Sequence, residues 1–229
     1  NPDMEKLKGT QDDSKEKRRI RPVFTEIELT KERNRGSDCG PLSVEMLFQT
    51  DFPDVKKISA EEIEKEMGKE HSAPSLPADI CRLLRQHGYE VTYYSGVKWD
   101  RIADRKIPPG EWDEKIKALF SKNPGLLERI GEETFRASAE WLTDNGILSG
   151  EITLSQVADR LRSGSRILAL VRGGRHIVVV TGIDEKNVYF NDPDTEPVAG
   201  MMAHEDFEES WGGETIEARY AINGKDVKR

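Results

Sequence analysis

Cysteine is scarce: Cys39 and Cys81 are the only two in 229 residues, too few for a disulfide framework to supply the stability. No apolar run approaches the roughly 20 residues that cross a bilayer, and no charged start followed by an apolar stretch reads as a signal peptide. The chain therefore reads as soluble and, with no targeting segment in view, as cytoplasmic by default. It begins at Asn rather than Met, which leaves a removed leader open. Basic residues are the minority, 35 Lys and Arg against 43 Asp and Glu, for a net charge of −8 and a pI near 5.2. That balance argues against nucleic acid or an anionic membrane surface as a general partner, although a local basic patch is left open. His71, His87, His176, His204 and the two cysteines lack any paired ligand spacing, so neither a metal nor another cofactor is expected.

What is present suits one large domain, or one domain with an inserted subdomain. Apolar residues make up 35% and charged residues 34%, enough for a core at this length. Residues 1–22, with the run KEKRRIR at 15–21, read as a charged tail or arm, and residues 23–229 as the folded domain. FTEIEL at 24–29 alternates like a half-buried strand. LSVEMLF predicts a largely buried central helix. Ser59-Ala-Glu-Glu is a capping-box pattern opening a helix over AEEIEKEMG, and Pro77 opens a helix that Gly88 ends. Ile80, Leu83 and Leu84 recur at helical spacing there, so Cys81 reads as a buried structural thiol. EVTYYSG reads as a strand. Residues 96–150 carry helical segments around WDEKIKALF and ETFRASAEWLTDNG, broken by IPPG and NPG, and form a helical elaboration that shapes a cleft. TLSQVADRLRSG predicts a helix ending at Gly164, without the Ser-Leu-Ser-Gln form of cap. RILALV, RHIVVVTGI and NVYFNDP follow as three strands. Helices first and an antiparallel sheet afterwards indicate an α+β fold.

The chemistry concentrates at two places. SDCGP sets Cys39 between a turn and a helix, with Gly40 permitting close backbone approach and Pro41 suited to the first helical turn. A helix N-terminus favours an anionic sulfur, and its unpaired N–H groups can hold an oxyanion. Downstream, His176 opens one strand of GGRHIVVVTGIDEKNVYFNDPD and Asp192 closes the next. A thiol nucleophile needs an imidazole to take and return its proton, and the imidazole needs a carboxylate or amide to hold its tautomer. Cys39, His176 and Asp192 supply all three groups. An ideal hairpin pairing Asp184 with Asn187 sets His176 opposite Thr195, three positions past Asp192, so a bulge or bend must absorb that offset. The structural alternative is a strand-edge histidine beside an Asn-Asp-Pro turn.

DCGP leading into an apolar helix, RHIVVVTGID followed by NDP, and Phe207 with Trp211 in FEESWGG together resemble the C39-like branch of the papain-like cysteine peptidases. The resemblance implies a papain-like arrangement, with a helical N-terminal part and the nucleophile helix packed on a C-terminal antiparallel sheet. It implies Cys39 as nucleophile, His176 as general base and acid, Asp192 as the orienting residue, and a peptide or amide as substrate. Trp211 packs over the triad on this reading, whereas an aromatic pair at i and i+4 is core by default. One departure stands out. Family members usually carry a Gln about six residues before the cysteine that shares the oxyanion hole, and this chain has Arg33 there. Asn34 is the nearest substitute, with the right amide on a shorter arm; a missing oxyanion donor costs on the order of 100-fold to 1000-fold in rate. Three readings stay open: a thiol hydrolase, an acyltransferase on the same three residues, and a C39-like domain that binds peptide without cutting it.

Overall fold

The computed structural model describes residues 20–29, 38–53, 58–68, 73–122 and 124–220. In chain order these form Val23–Phe24 (β1), Cys39–Asp51 (α1), Ala60–Glu66 (α2), Pro77–Gln86 (α3), Tyr89–Tyr94 (β2) and Trp99–Ala103 (α4). Glu114–Lys122 (α5), Leu126–Ile130 (α6), Glu132–Asp144 (α7), Leu148–Ser149 (β3) and Leu154–Arg162 (α8) follow. The chain then runs through Arg166–Val171 (β4), His176–Ile183 (β5), Asn187–Asn191 (β6), Ala199–Ala203 (β7), His204–Trp211 (α9) and Thr215–Tyr220 (β8).

These strands make one sheet in the order β3-β2-β8-β4-β5-β6-β7, with β1 added against β5. Every pairing is antiparallel except the short parallel contact between β2 and β3. The architecture is the α+β arrangement expected, with the cysteine helix packed on a largely antiparallel sheet. The unbroken apolar runs of β4 and β5 follow from burial on both faces. Leu168, Leu170, Ile177 and Val179 join α1, α3 and α7 in one core. Ile167, Ala169, Val178 and Val180 alternate to the other side and pack beneath α8 and α9. Helix α1 lies inside the first core, with Leu42, Val44, Met46, Leu47 and Phe48 all buried, as its lack of a polar stripe requires.

Local signals explain most boundaries. Ser59 and Glu62 close the capping box at α2. Pro77 occupies the first turn of α3, and beyond it Gly88 turns the chain at φ +87°, a left-handed conformation that glycine adopts without strain. Helix α8 also begins with a capping box, between Thr153 and Gln156; the T-x-x-Q spacing carries this cap, which the sequence reading passed over. The strand expected over 24–29 is a second correction: pairing stops at Phe24. The chain instead follows hydrogen bonds from Thr25 N to Thr181 O at 2.7 Å and from Glu28 N to the Thr50 hydroxyl at 2.8 Å, which draw it off the sheet toward the end of α1. The strands β3, β7 and β8 were not anticipated, although TIEARY in β8 carries a clear period-2 alternation.

The segment 96–150 is tied together by Arg136. Its guanidinium is buried over the Trp112 ring, 5.0 Å from the centroid, and donates to the carbonyls of Ile102, Asp104 and Ile107 at 2.8, 3.2 and 2.8 Å. One cation thus holds α4, the turn after it and α7 in register. Among the described residues no helix is long and apolar enough to cross a membrane.

Candidate active site

Cys39 is the first residue of α1, and the Asp38 side chain makes no cap to that helix. The first-turn N–H groups of Cys39 and Gly40 therefore point outward as donors, while Pro41 has none to lose. Gly40 is needed at its position because a Cβ there would lie 2.7 Å from the Ser75 hydroxyl oxygen and 2.8 Å from Ser75 Cβ. The thiol is only partly buried, so it is open to a reactant. Helix α1 is also tied to the histidine strand, since Ser43 Oγ donates to the Ile177 carbonyl at 3.4 Å.

His176 opens β5 and is buried beside Asp192, which follows β6: the imidazole Nε2 lies 2.6 Å from Asp192 Oδ1. The three-position offset is met in two stages. A bulge between Val180 and Gly182 shifts the pairing from Gly182↔Tyr189 to Val180↔Phe190, which removes one position. The remaining two make Asp192 a diagonal neighbour of His176, within reach once the aspartate side chain extends. The offset was expected to be absorbed by a bulge or bend; the bulge absorbs one position of the three.

With Nε2 on Asp192, the second ring nitrogen, Nδ1, is 4.0 Å from Asp194 Oδ2. Burial alone would push the imidazole pKa down, but hydrogen bonds to Asp192 and to Cys39, reinforced by their charges, outweigh it and raise the value to about 9. Asp192 is pulled the other way. Burial raises its pKa, and the hydrogen bond to His176, the backbone N–H of Asp194 and the nearby cations more than reverse this, leaving it below the ordinary aspartate value. The local electrostatics favour an imidazolium beside a carboxylate, the charge state that assists a neighbouring thiolate.

Two further side chains complete this corner, and the sequence reading assigned neither. Arg172 stands in the turn between β4 and β5 with φ +54°, a conformation disfavoured for a residue with a Cβ. From there its guanidinium reaches Asp194 Oδ2 at 2.8 Å and Asp192 Oδ2 at 3.4 Å, while its backbone N–H donates to Ser210 Oγ at 3.2 Å. Asp194 Oδ2 lies 4.0 Å from His176 Nδ1, and the Asp194 N–H donates to Asp192 Oδ1 at 2.8 Å. The only sequence trace of this clamp is the second aspartate of NDPD and an arginine in a Gly-Gly turn.

Phe207 and Trp211 are core residues beneath the sheet, their rings 5.8 Å apart, and the Trp211 indole N–H donates to Glu214 O and Thr215 Oγ1 at 2.9 and 3.0 Å. Trp211 also contributes to the wall of a cavity of about 440 Å³ into which Cys39 opens. Cys81 is fully buried in α3, where burial and the charge of Asp79 hold its thiol well above the ordinary cysteine pKa, as expected of an inert structural thiol. Arg33 and Asn34 lie outside the described residues, as does His71.

The model of the Peptidase_C39 like family matches residues 24–217. The chain belongs to that family. Among solved structures, the peptidase domain of Streptococcus ComA, a bifunctional ABC transporter of a quorum-sensing pathway, is 14% identical with a TM-score of 0.45, covering 82% of this chain and 94% of that one. A double glycine motif protease from an AMS/PCAT transporter, solved with its leader peptide, is 15% identical with a TM-score of 0.47, covering 87% and 98%. A C39-like peptidase from Bacillus anthracis is 12% identical with a TM-score of 0.42, covering 86% and 94%. A comparison with curated proteins finds no match. Membership of this C39-like family is consistent with a cysteine peptidase.

Proposed function

We propose that the protein is a cysteine peptidase or amidohydrolase acting through a Cys39–His176–Asp192 triad. The observation that carries this reading is the buried contact of His176 Nε2 with Asp192 Oδ1 at 2.6 Å, on an imidazole whose pKa is raised in part by the neighbouring Cys39. In the first half-reaction the Cys39 proton passes to His176 Nδ1 and the sulfur attacks the substrate carbonyl carbon, breaking its π bond to give an oxyanion at the helix N-terminus. The imidazolium then returns its proton to the leaving nitrogen as the C–N bond breaks, leaving a thioester on Cys39. Water, deprotonated by His176, attacks the thioester; the acid leaves and the thiol is regenerated. Asp192 stays ionised throughout, holding the imidazole tautomer.

Asn34 is the proposed side-chain oxyanion donor, alongside the Cys39 backbone N–H. The substrate class proposed is a peptide or amide. Iodoacetamide at pH 6 tests the reading at its chemical centre. Cys39 is expected to label at least ~100-fold faster than Cys81, and the advantage to disappear in His176→Ala. In parallel, a proteome-derived peptide mixture is expected to be cut by the wild type and left intact by Cys39→Ala. Equal slow labelling of the two thiols, with no peptide cut, would replace this reading with a binding module.

A further inference from the structure

The cavity that receives Cys39 is mostly apolar, with Leu76, Trp99, Ile116 and Leu170 among its lining residues, yet a carboxyl is set into it and a hydroxyl lies just behind its wall. Tyr93 is fully buried and its hydroxyl has no hydrogen-bond partner. Glu214 presents its carboxyl beside Gly174: a Cβ at that glycine would lie 3.5 Å from Glu214 Oε2 and 3.6 Å from Leu119 Cδ1. Oε2 therefore sits on the cavity wall.

The other oxygen is already used. Ser95 Oγ accepts from Val97 N at 3.1 Å and from Trp99 Nε1 at 3.2 Å, so its single proton goes to Glu214 Oε1 at 2.9 Å. Serine has one proton to give, which fixes Oε1 as an acceptor and leaves Oε2 to face the lumen. The Tyr93 hydroxyl lies near enough to influence this carboxyl without closing a hydrogen bond of normal geometry. Burial raises the Glu214 pKa and the charge of Asp113 adds to this, while Ser95, Tyr93 and Lys115 act against it. Lys115 is paired with Glu151, and Arg129 and Arg175 at the lining are exposed, where water screens them.

We propose that this cavity is a specificity pocket for a substrate side chain bearing an amine or guanidinium on an aliphatic stem, received by Glu214 with the Tyr93 hydroxyl behind it. The stem satisfies the apolar walls and the cation pairs with the Glu214 carboxyl. A wholly apolar side chain would seal the carboxyl oxygen away from water with no partner, which is costly. A carboxylate would meet like charge in a low-dielectric space. The volume lies within the roughly 300–1,000 Å³ of ligand pockets. The inference deepens the peptidase reading and rests on Cys39 as nucleophile for its placement beside the scissile bond.

Two measurements separate the pocket from the chemistry. Calorimetric titration of the full chain with pentylamine and pentylguanidine is expected to give saturable binding at least ~10-fold tighter than pentan-1-ol, with pentanoate weaker still. Glu214→Gln, which keeps shape and the Ser95 contact, is expected to erase that ~10-fold preference, and Tyr93→Phe to reduce it about 3-fold. Cations that bind no tighter than the alcohol overturn the pocket, as does a cation preference that survives in a folded Glu214→Gln. If Glu214→Gln fails to fold, as judged by circular dichroism, the Tyr93→Phe titration decides by the same criterion. In the peptide mixture, cleavage is expected to concentrate at sites with Lys or Arg at one fixed position near the cut. That preference should vanish in Glu214→Gln while cutting continues. Cutting without a basic preference sinks the pocket and leaves the nucleophile standing. Cation binding by a chain that cuts nothing sinks the nucleophile and leaves the pocket.

Discussion

His176 is the residue on which most of the site's electrostatics converge, and its protonation has a signed consequence for stability. Its pKa is raised from an ordinary 6.5 to about 9 in the folded protein. Its contribution, on the order of 3 kcal/mol, is therefore fully present below pH 6.5 and lost as pH rises through about 9. Urea unfolding of the wild type is expected to show this decline. In Asp192→Asn the imidazole loses its principal hydrogen bond to a charge, so its titration, followed by NMR of the ring protons, moves to lower pH and the decline flattens. An unmoved titration would show that Asp192 does not govern the ring. Asp192, held below the ordinary aspartate value, contributes in the opposite window: its term is present above the unfolded aspartate pKa and lost as pH falls through the folded one. The three residues were legible in the sequence because each belongs to a local pattern, DCGP, GGRHI or NDP. Arg172, Asp194 and Glu214 were not. An arginine in a turn and a glutamate after Gly-Gly look solvated until the fold closes around them.

Elements whose cause is local were readable, and those whose cause is a neighbour were not. The helices over 39–51, 77–86 and 132–144 carry burial patterns and stop signals of their own. By contrast β3 is two residues long, and it exists because Tyr93 and Tyr94 of β2 offer it a parallel partner. The same holds for β1, whose second residue Phe24 remains 61% exposed: pairing with β5, rather than burial, defines it. The cap at Thr153 is a local cause that went unused, and it can be tested as such. Thr153→Ala removes the hydroxyl that accepts from Gln156 N at 3.3 Å, and urea unfolding is expected to show a loss of about 1 kcal/mol. A change within a few tenths of that of an exposed Thr→Ala elsewhere would mean the cap carries no stability.

At the scale of the whole molecule, Asp51 joins regions distant in sequence. It ends α1, accepts from the Tyr89 hydroxyl of β2 at 2.8 Å and from Arg166 Nε of β4 at 3.0 Å, while Arg166 Nη1 reaches Thr25 beside β1 at 2.8 Å. Removing one partner strands a largely buried charge. Asp51→Ala is expected to cost about 3 kcal/mol, and the double variant with Arg166→Leu to cost less than the sum of the singles; additive losses would show the pair to be uncoupled. The amino-acid sequence by itself determined the α+β class and the buried cysteine helix, and it singled out Cys39, His176 and Asp192 as the set proposed to act together. Each follows from spacing along the chain and from what a side chain's chemistry demands of its neighbours. Only the tertiary structure decided how His176 meets Asp192, through a one-position bulge and a diagonal reach. It alone placed the Glu214 carboxyl in the wall of the cavity at Cys39. Register and enclosure are set by strand pairing and packing across more than a hundred residues, and no local pattern carries that information.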